Sequence, residues 1–163
     1  MARPSFPCSL RRAVIIAAVT TLVAATAANA APSPGARGIG DPYYPLHGNG
    51  GYDVSHYDIA VAYAPGSDRV SGTTTITATA TQDLSQFDLD LALRASSVTV
   101  DGVAAGFRQG PRELVVTPAR PVRNGRPLTV VVTYAGIPSQ TRADGLDPWV
   151  RTADGAVAVG EPE

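Results

Sequence analysis

Cysteine is almost missing from this chain: Cys8 is the only one, and it stands before an apolar run. A lipid-attachment cysteine would follow such a run, so Cys8 does not read as an anchor. Lysine is absent, and histidine occurs only at His47 and His56. A catalytic zinc ion needs three protein ligands, commonly with two histidines one helical turn apart and a glutamate between them. Two histidines nine residues apart, with no glutamate near either, cannot build that centre. Solvent-exposed or hydrogen-bonding roles account for both, so the chain is expected to hold no metal and no cofactor of its own. A G-x-S-x-G nucleophile elbow is also lacking. The glycine-rich stretch Gly48-Asn49-Gly50-Gly51 has no Lys-Ser/Thr pair and precedes a strand, so it reads as a loop and not as a phosphate cradle. No residue emerges as catalytic.

Long hydrophobic runs are missing as well. Arg3, Arg11 and Arg12 precede the apolar stretch Ala13 to Ala25, and Ala28-Asn29-Ala30 fits an A-x-A cleavage site. Residues 1–30 are therefore expected to be a signal peptide removed after Ala30, giving a secreted, extracellular protein. The stretch is too short and alanine-rich for a stable membrane span, which needs roughly 20 apolar residues. Arg11-Arg12 resembles a twin-arginine signal, but Leu10 before it and the lack of a following Phe-Leu favour ordinary secretion. Cleavage would remove three of the thirteen basic residues and none of the fourteen acidic ones. The remaining balance, about −4, offers no electrostatic footprint for nucleic acid or anionic lipid. Without cysteine the mature chain has no disulfide, and its stability rests on an ordinary apolar core. About 133 residues suit one domain that buries roughly two-thirds of its unfolded surface. A two-domain enzyme would not fit.

Helical periodicity is the third absence. Beyond the signal, no window places apolar residues at i, i+3, i+4 and i+7, while alternation with period two recurs. Ala31 to Arg37 is a Pro/Gly/Ala run with nothing to bury, within an expected flexible linker over residues 31–38. Residues 39–163 then form the folded part. Tyr57, Ile59, Val61 and Tyr63 share one strand face, opposite His56, Asp58, Ala60 and Ala62. The turn cluster Ala64–Asp68 leads to a second strand with Val70, Thr74, Ile76, Ala78 and Ala80 on one face and threonines on the other, wet side. Phe87, Leu89, Leu91 and Leu93 mark a third strand. Ser97 to Val100 is closed by Asp101-Gly102, a hairpin signal. Val103 to Phe107, Glu113 to Thr117, Leu128 to Tyr134 and Ala156 to Val159 complete an all-β pattern of short strands.

Two groups of side chains could carry chemistry. Asp88 and Asp90 point to one face of a strand, where paired carboxylates could do acid–base work or bind calcium. A solvated sheet face explains them without either. Tyr43, Tyr44, Tyr52 and Trp149 could line a ligand groove, but as half-buried staples they would tie irregular chain to the sheet.

The phrasing Tyr43-Tyr44-Pro45, then His56-Tyr57-Asp58-Ile59, then Gly72-Thr73 resembles the opening of the aminopeptidase N-like (gluzincin) zinc metallopeptidases. Their N-terminal β-domain begins with a P-x-H-Y-D-L strand and a G-T strand. The resemblance covers about Gly38 to Glu163. It implies an all-β, saddle-like antiparallel sheet or sandwich, truncated before the H-E-x-x-H catalytic domain, with zinc expected only in that missing domain. It also implies a chain inactive alone, whose partners are that catalytic domain and a peptide substrate. In the family this domain ends in an acidic segment that helps bind the substrate's free amine. Matching Gly160-Glu161-Pro162-Glu163 to it places Glu161 at the amine-binding position and Glu163 beside it, although Val159 stands where a Gln is usual. A buried ammonium needs such a counter-charge. The competing expectation is a non-enzymatic secreted β-sandwich that binds carbohydrate or serves in adhesion.

Overall fold

A computed structural model of the chain describes residues 31–43, 48–141 and 149–158. The expected signal peptide (1–30), Tyr44, His47, and the terminal pair Glu161 and Glu163 lie outside these residues. The strands are β1 (Ser33–Pro34), β2 (Tyr52–Ala64), β3 (Arg69–Ala80), β4 (Leu84–Asp90), β5 (Arg94–Val100), β6 (Val103–Ala104), β7 (Gly106–Gln109), β8 (Glu113–Thr117), β9 (Pro127–Gly136), β10 (Trp149–Arg151) and β11 (Ala156–Ala158). A single 3-10 turn spans Pro138–Gln140, and no α-helix occurs among the described residues. Accordingly none of them forms a helix long and apolar enough to cross a membrane.

Alternation of β-branched and apolar residues builds a five-stranded sheet in the order β2-β3-β9-β5-β6. The β2–β3 hairpin runs in register from Tyr52↔Ala80 to Ala64↔Arg69, with one irregularity between Val54 and His56. At the Asp101-Gly102 turn both residues adopt positive φ, 51° and 77°, as a two-residue hairpin loop requires. Val100 then faces Val103. A second sheet, β1-β4-β8-β7, lies against the first. Phe87, Leu84, Leu114 and Val116 from it meet Ile76, Ala78, Leu128 and Val130 from the five-stranded sheet in one buried cluster. The sheets are antiparallel apart from β1, which runs parallel to β4, and neither closes on itself.

Three expectations change. The expected linker is laid against β4: Ser33 and Pro34 pair with it, and Gly35 N–H donates to the Gln86 carbonyl at 2.8 Å. The strand expected through Leu93 stops at Asp90, because Gln109 captures the chain beyond it. Its amide nitrogen donates to the carbonyls of Leu91 (3.1 Å) and Leu93 (2.5 Å), and its oxygen accepts from Ala95 N–H at 2.8 Å. The single return strand expected over Val103 to Phe107 is two strands in different sheets. Ala105 N–H still bonds the Val98 carbonyl at 3.0 Å, and the next residue already belongs to β7. One glutamine side chain thus ties the crossover to the second sheet.

Candidate interaction face

The second sheet covers only part of the five-stranded one. On the inward-facing side, successive rows across β2, β3 and β9 read Tyr57–Ile76–Val130, Ile59–Thr74–Val132 and Val61–Gly72–Tyr134. Ile76 and Val130 are buried, yet Tyr57, Ile59 and Val61 remain 52%, 59% and 55% exposed. The stripe predicted on β2 therefore exists, but the described residues leave it uncovered. It forms one wall of a groove of about 760 Å³, with Leu91 and Leu93 on the crossover and Trp149 at another margin. Glycine at 72 shapes its floor. A Cβ there would stand 2.8 Å from Cζ and Oη of Tyr134, so the ring lies directly over the bare backbone. Thr74 Oγ1 and Tyr134 Oη are 3.2 Å apart and hold the ring in place.

Asp68 lies outside the groove lining but holds Trp149, which belongs to it. It sits in the β2–β3 turn with φ of 52° and is only 3% exposed. Its Oδ1 accepts from Tyr63 Oη and from Trp149 Nε1, both at 2.9 Å, and its Oδ2 accepts a short bond from Ser139 Oγ. The Ser139 hydroxyl first, then Trp149 and Tyr63, hold this carboxyl below its usual range against the opposing effect of burial. Tyr63 and Trp149 also meet edge to face, with ring centroids 5.3 Å apart. One carboxylate thereby pins the Pro138–Gln140 turn and the β10–β11 hairpin to the sheet. In the sequence Asp68 reads as an ordinary turn residue, because Ser139 and Trp149 lie 71 and 81 positions away.

Asp88 is a correction. It was expected on a solvated face beside Asp90, but it is 3% exposed while Asp90 is exposed. The lead-in segment laid along β4 covers it and brings Arg37 Nε to 3.3 Å. Burial raises its pKa, only partly offset by Arg37 and Arg108. Glu113, cross-strand from Asp90, is also raised, by burial and then by Asp90 and Asp88, and its Oε2 is buried without a hydrogen-bond donor among the described residues. Acid–base chemistry needs substrate access, and the buried Asp88 has none. His56 is exposed on β2. Among the described residues no group of three His, Cys, Asp or Glu side chains could hold a metal.

The aromatics divide. Tyr52 donates its hydroxyl to the Asp88 carbonyl at 2.7 Å and stacks edge-on against Phe87, with burial raising its pKa. Like Trp149 it serves as a staple, whereas Tyr43 is 86% exposed.

Comparison with known proteins fits this architecture. No protein-family model matches the sequence, and no curated protein matches it. Solved structures do. A two-domain M1 zinc metallopeptidase, crystallised as a Glu-to-Ala mutant with L-arginine, superposes with a TM-score of 0.65 and 32% identity, over 77% of this chain and 30% of that one. The M1 zinc metallopeptidase of Deinococcus radiodurans, in a Glu-to-Ala mutant bound to a Tyr-Ser-Ala substrate, gives 0.60 and 33%, over 71% and 28%. The protein thus carries an open two-sheet β-domain similar to part of these metallopeptidases. More narrowly, the chain carries a domain of the M1, aminopeptidase N-like, zinc metallopeptidase family, and spans about 30% of the length of the structures it matches.

Proposed function

We propose that this chain is the non-catalytic front domain of a secreted zinc metallo-aminopeptidase, and that its open groove is the face on which the rest of the enzyme packs. The observation that carries the reading is the uncovered stripe Tyr57-Ile59-Val61 above the groove, in a domain 32% identical to part of a two-domain metallopeptidase. Soluble monomers rarely leave a contiguous apolar patch of this kind without a partner. Fully burying such side chains contributes about 1.5–3 kcal/mol each. With about half of each already covered, sealing all three contributes on the order of 3 kcal/mol to docking.

In this reading zinc belongs to the catalytic domain, which cleaves N-terminal residues from peptides. The β-domain closes the cleft, and Glu161 supplies a negative group for the substrate amine, with Glu163 beside it. The Arg-rich start and A-x-A site of residues 1–30 support export.

A domain exchange tests the proposal. The corresponding β-domain of the Deinococcus radiodurans metallopeptidase is replaced by residues 31–163, and hydrolysis of aminoacyl substrates is followed. Recovery of zinc-dependent activity, lost again on Ile59→Asp, is the expected result. A chimera that folds and holds zinc but is indifferent to Ile59→Asp refutes the packing role. An open reading frame after codon 163 encoding H-E-x-x-H would support the enzymatic parent.

A further inference from the structure

Among the described residues the lateral edge of β2 is open, apart from the groove. This strand is the end of the five-stranded sheet and pairs only with β3 among the described residues. It is 13 residues long and contains no proline, and its one irregularity lies at its start, between Val54 and His56. Natural edges are usually blunted by lysine, proline, a central bulge or short length. The run His56–Ala64 has no lysine, proline or bulge, and Asp58 is its single acidic side chain.

We propose that β2 is a self-association edge, and that its occupant is a second copy of this chain added antiparallel, so that two five-stranded sheets join into one. The sequence of the edge singles out this partner. When Ile59 faces its own copy, Tyr57 stands opposite Val61, Asp58 opposite Ala60 and His56 opposite Ala62. Aromatic with β-branched is a favourable cross-strand pair, and like charges directly opposite are unfavourable. This register supplies the first twice by symmetry and sets no like charges directly opposite, the two Asp58 side chains standing on the diagonal. A two-fold axis through Ile59 makes the contact isologous and closed, so it ends at a dimer and does not propagate. The pairing is lateral, and because Ile59 also lines the groove, the register of cross-linking and not Ile59→Lys alone separates it from packing through the groove.

The test uses the 163-residue chain with Cys8→Ser, which removes its only cysteine. Mass by sedimentation equilibrium is measured from about 1 to 100 µM. A dimer is expected, and Ile59→Lys, which sets two ammonium groups against each other, should weaken it at least tenfold while circular dichroism stays unchanged. Ile59 is 59% exposed, so that substitution does not threaten folding. Register is read by mild oxidation. Facing cysteines on paired strands reach disulfide geometry, so Ile59→Cys should cross-link to its copy. Tyr57→Cys, four residues away from its own copy in this register, should not. A monomer across the whole range overturns the proposal. So does a dimer or larger species indifferent to Ile59→Lys, or cross-linking that favours Tyr57→Cys.

Discussion

Replacing Gly72 with alanine separates two opposed effects. Gly72 has ordinary extended backbone in mid-strand, where glycine normally weakens a sheet. Such a Gly→Ala change usually stabilises by about 0.4–1 kcal/mol by narrowing the unfolded ensemble. Here the new methyl would stand 2.8 Å from Cζ and Oη and 2.9 Å from Cε2 of Tyr134. Carbon atoms settle at about 3.5–4.0 Å, so the ring would have to retreat by roughly 0.7 Å or more on that contact scale. Tyr134 is 9% exposed, anchored in β9 and close enough to Thr74 to share a hydrogen bond, so it has little room. Overpacking of this kind costs about 1–3 kcal/mol. The net expectation is a loss of about 1–2 kcal/mol, read as a lower urea midpoint with unchanged slope. In a Tyr134→Val background the same Gly72→Ala change should become neutral or stabilising. If Gly72→Ala raises the midpoint with Tyr134 intact, the ring does not lie where it is placed and the account of the Gly-Thr strand fails.

Asp68→Asn keeps a residue tolerant of positive φ but removes the charge that gathers Tyr63, Trp149 and Ser139; Trp149 is the only tryptophan, so its emission should shift red at neutral pH. Because the folded carboxyl is held below its ordinary value, its contribution is complete above about pH 4 and is lost as pH falls through the folded value. The parent protein should show the same red shift on acidification, and the Asn variant should not change further. Gln109→Ala strands one backbone donor and two acceptors at the sheet crossover, and should lower stability by about 2–3 kcal/mol in urea unfolding. Glu113→Gln should be neutral or stabilise by about 0.2–1 kcal/mol at pH 7, since it relieves a like-charge cross-strand neighbour. The raised carboxyl of Glu113 makes its ionised form unfavourable in the fold, so that gain should vanish as pH drops below the folded value.

Period-two alternation by itself determined the all-β class, the β2–β3 hairpin, the Asp101-Gly102 turn and the strand over Glu113–Thr117, because side-chain alternation and turn chemistry are local properties. The family phrasing around His56 to Ile59 and Gly72-Thr73 was legible for the same reason. What covers each face was not. Only the packing of the second sheet decided that Ile76 is buried while Ile59, on the same face of the sheet, is open, and that Asp88 lies beneath the lead-in segment. Gln109, Asp68 and the space over Gly72 act through partners far away in sequence, and period and composition carry no record of such contacts. A strand pattern states which residues can share a face, whereas the area left uncovered depends on where the neighbouring layer ends.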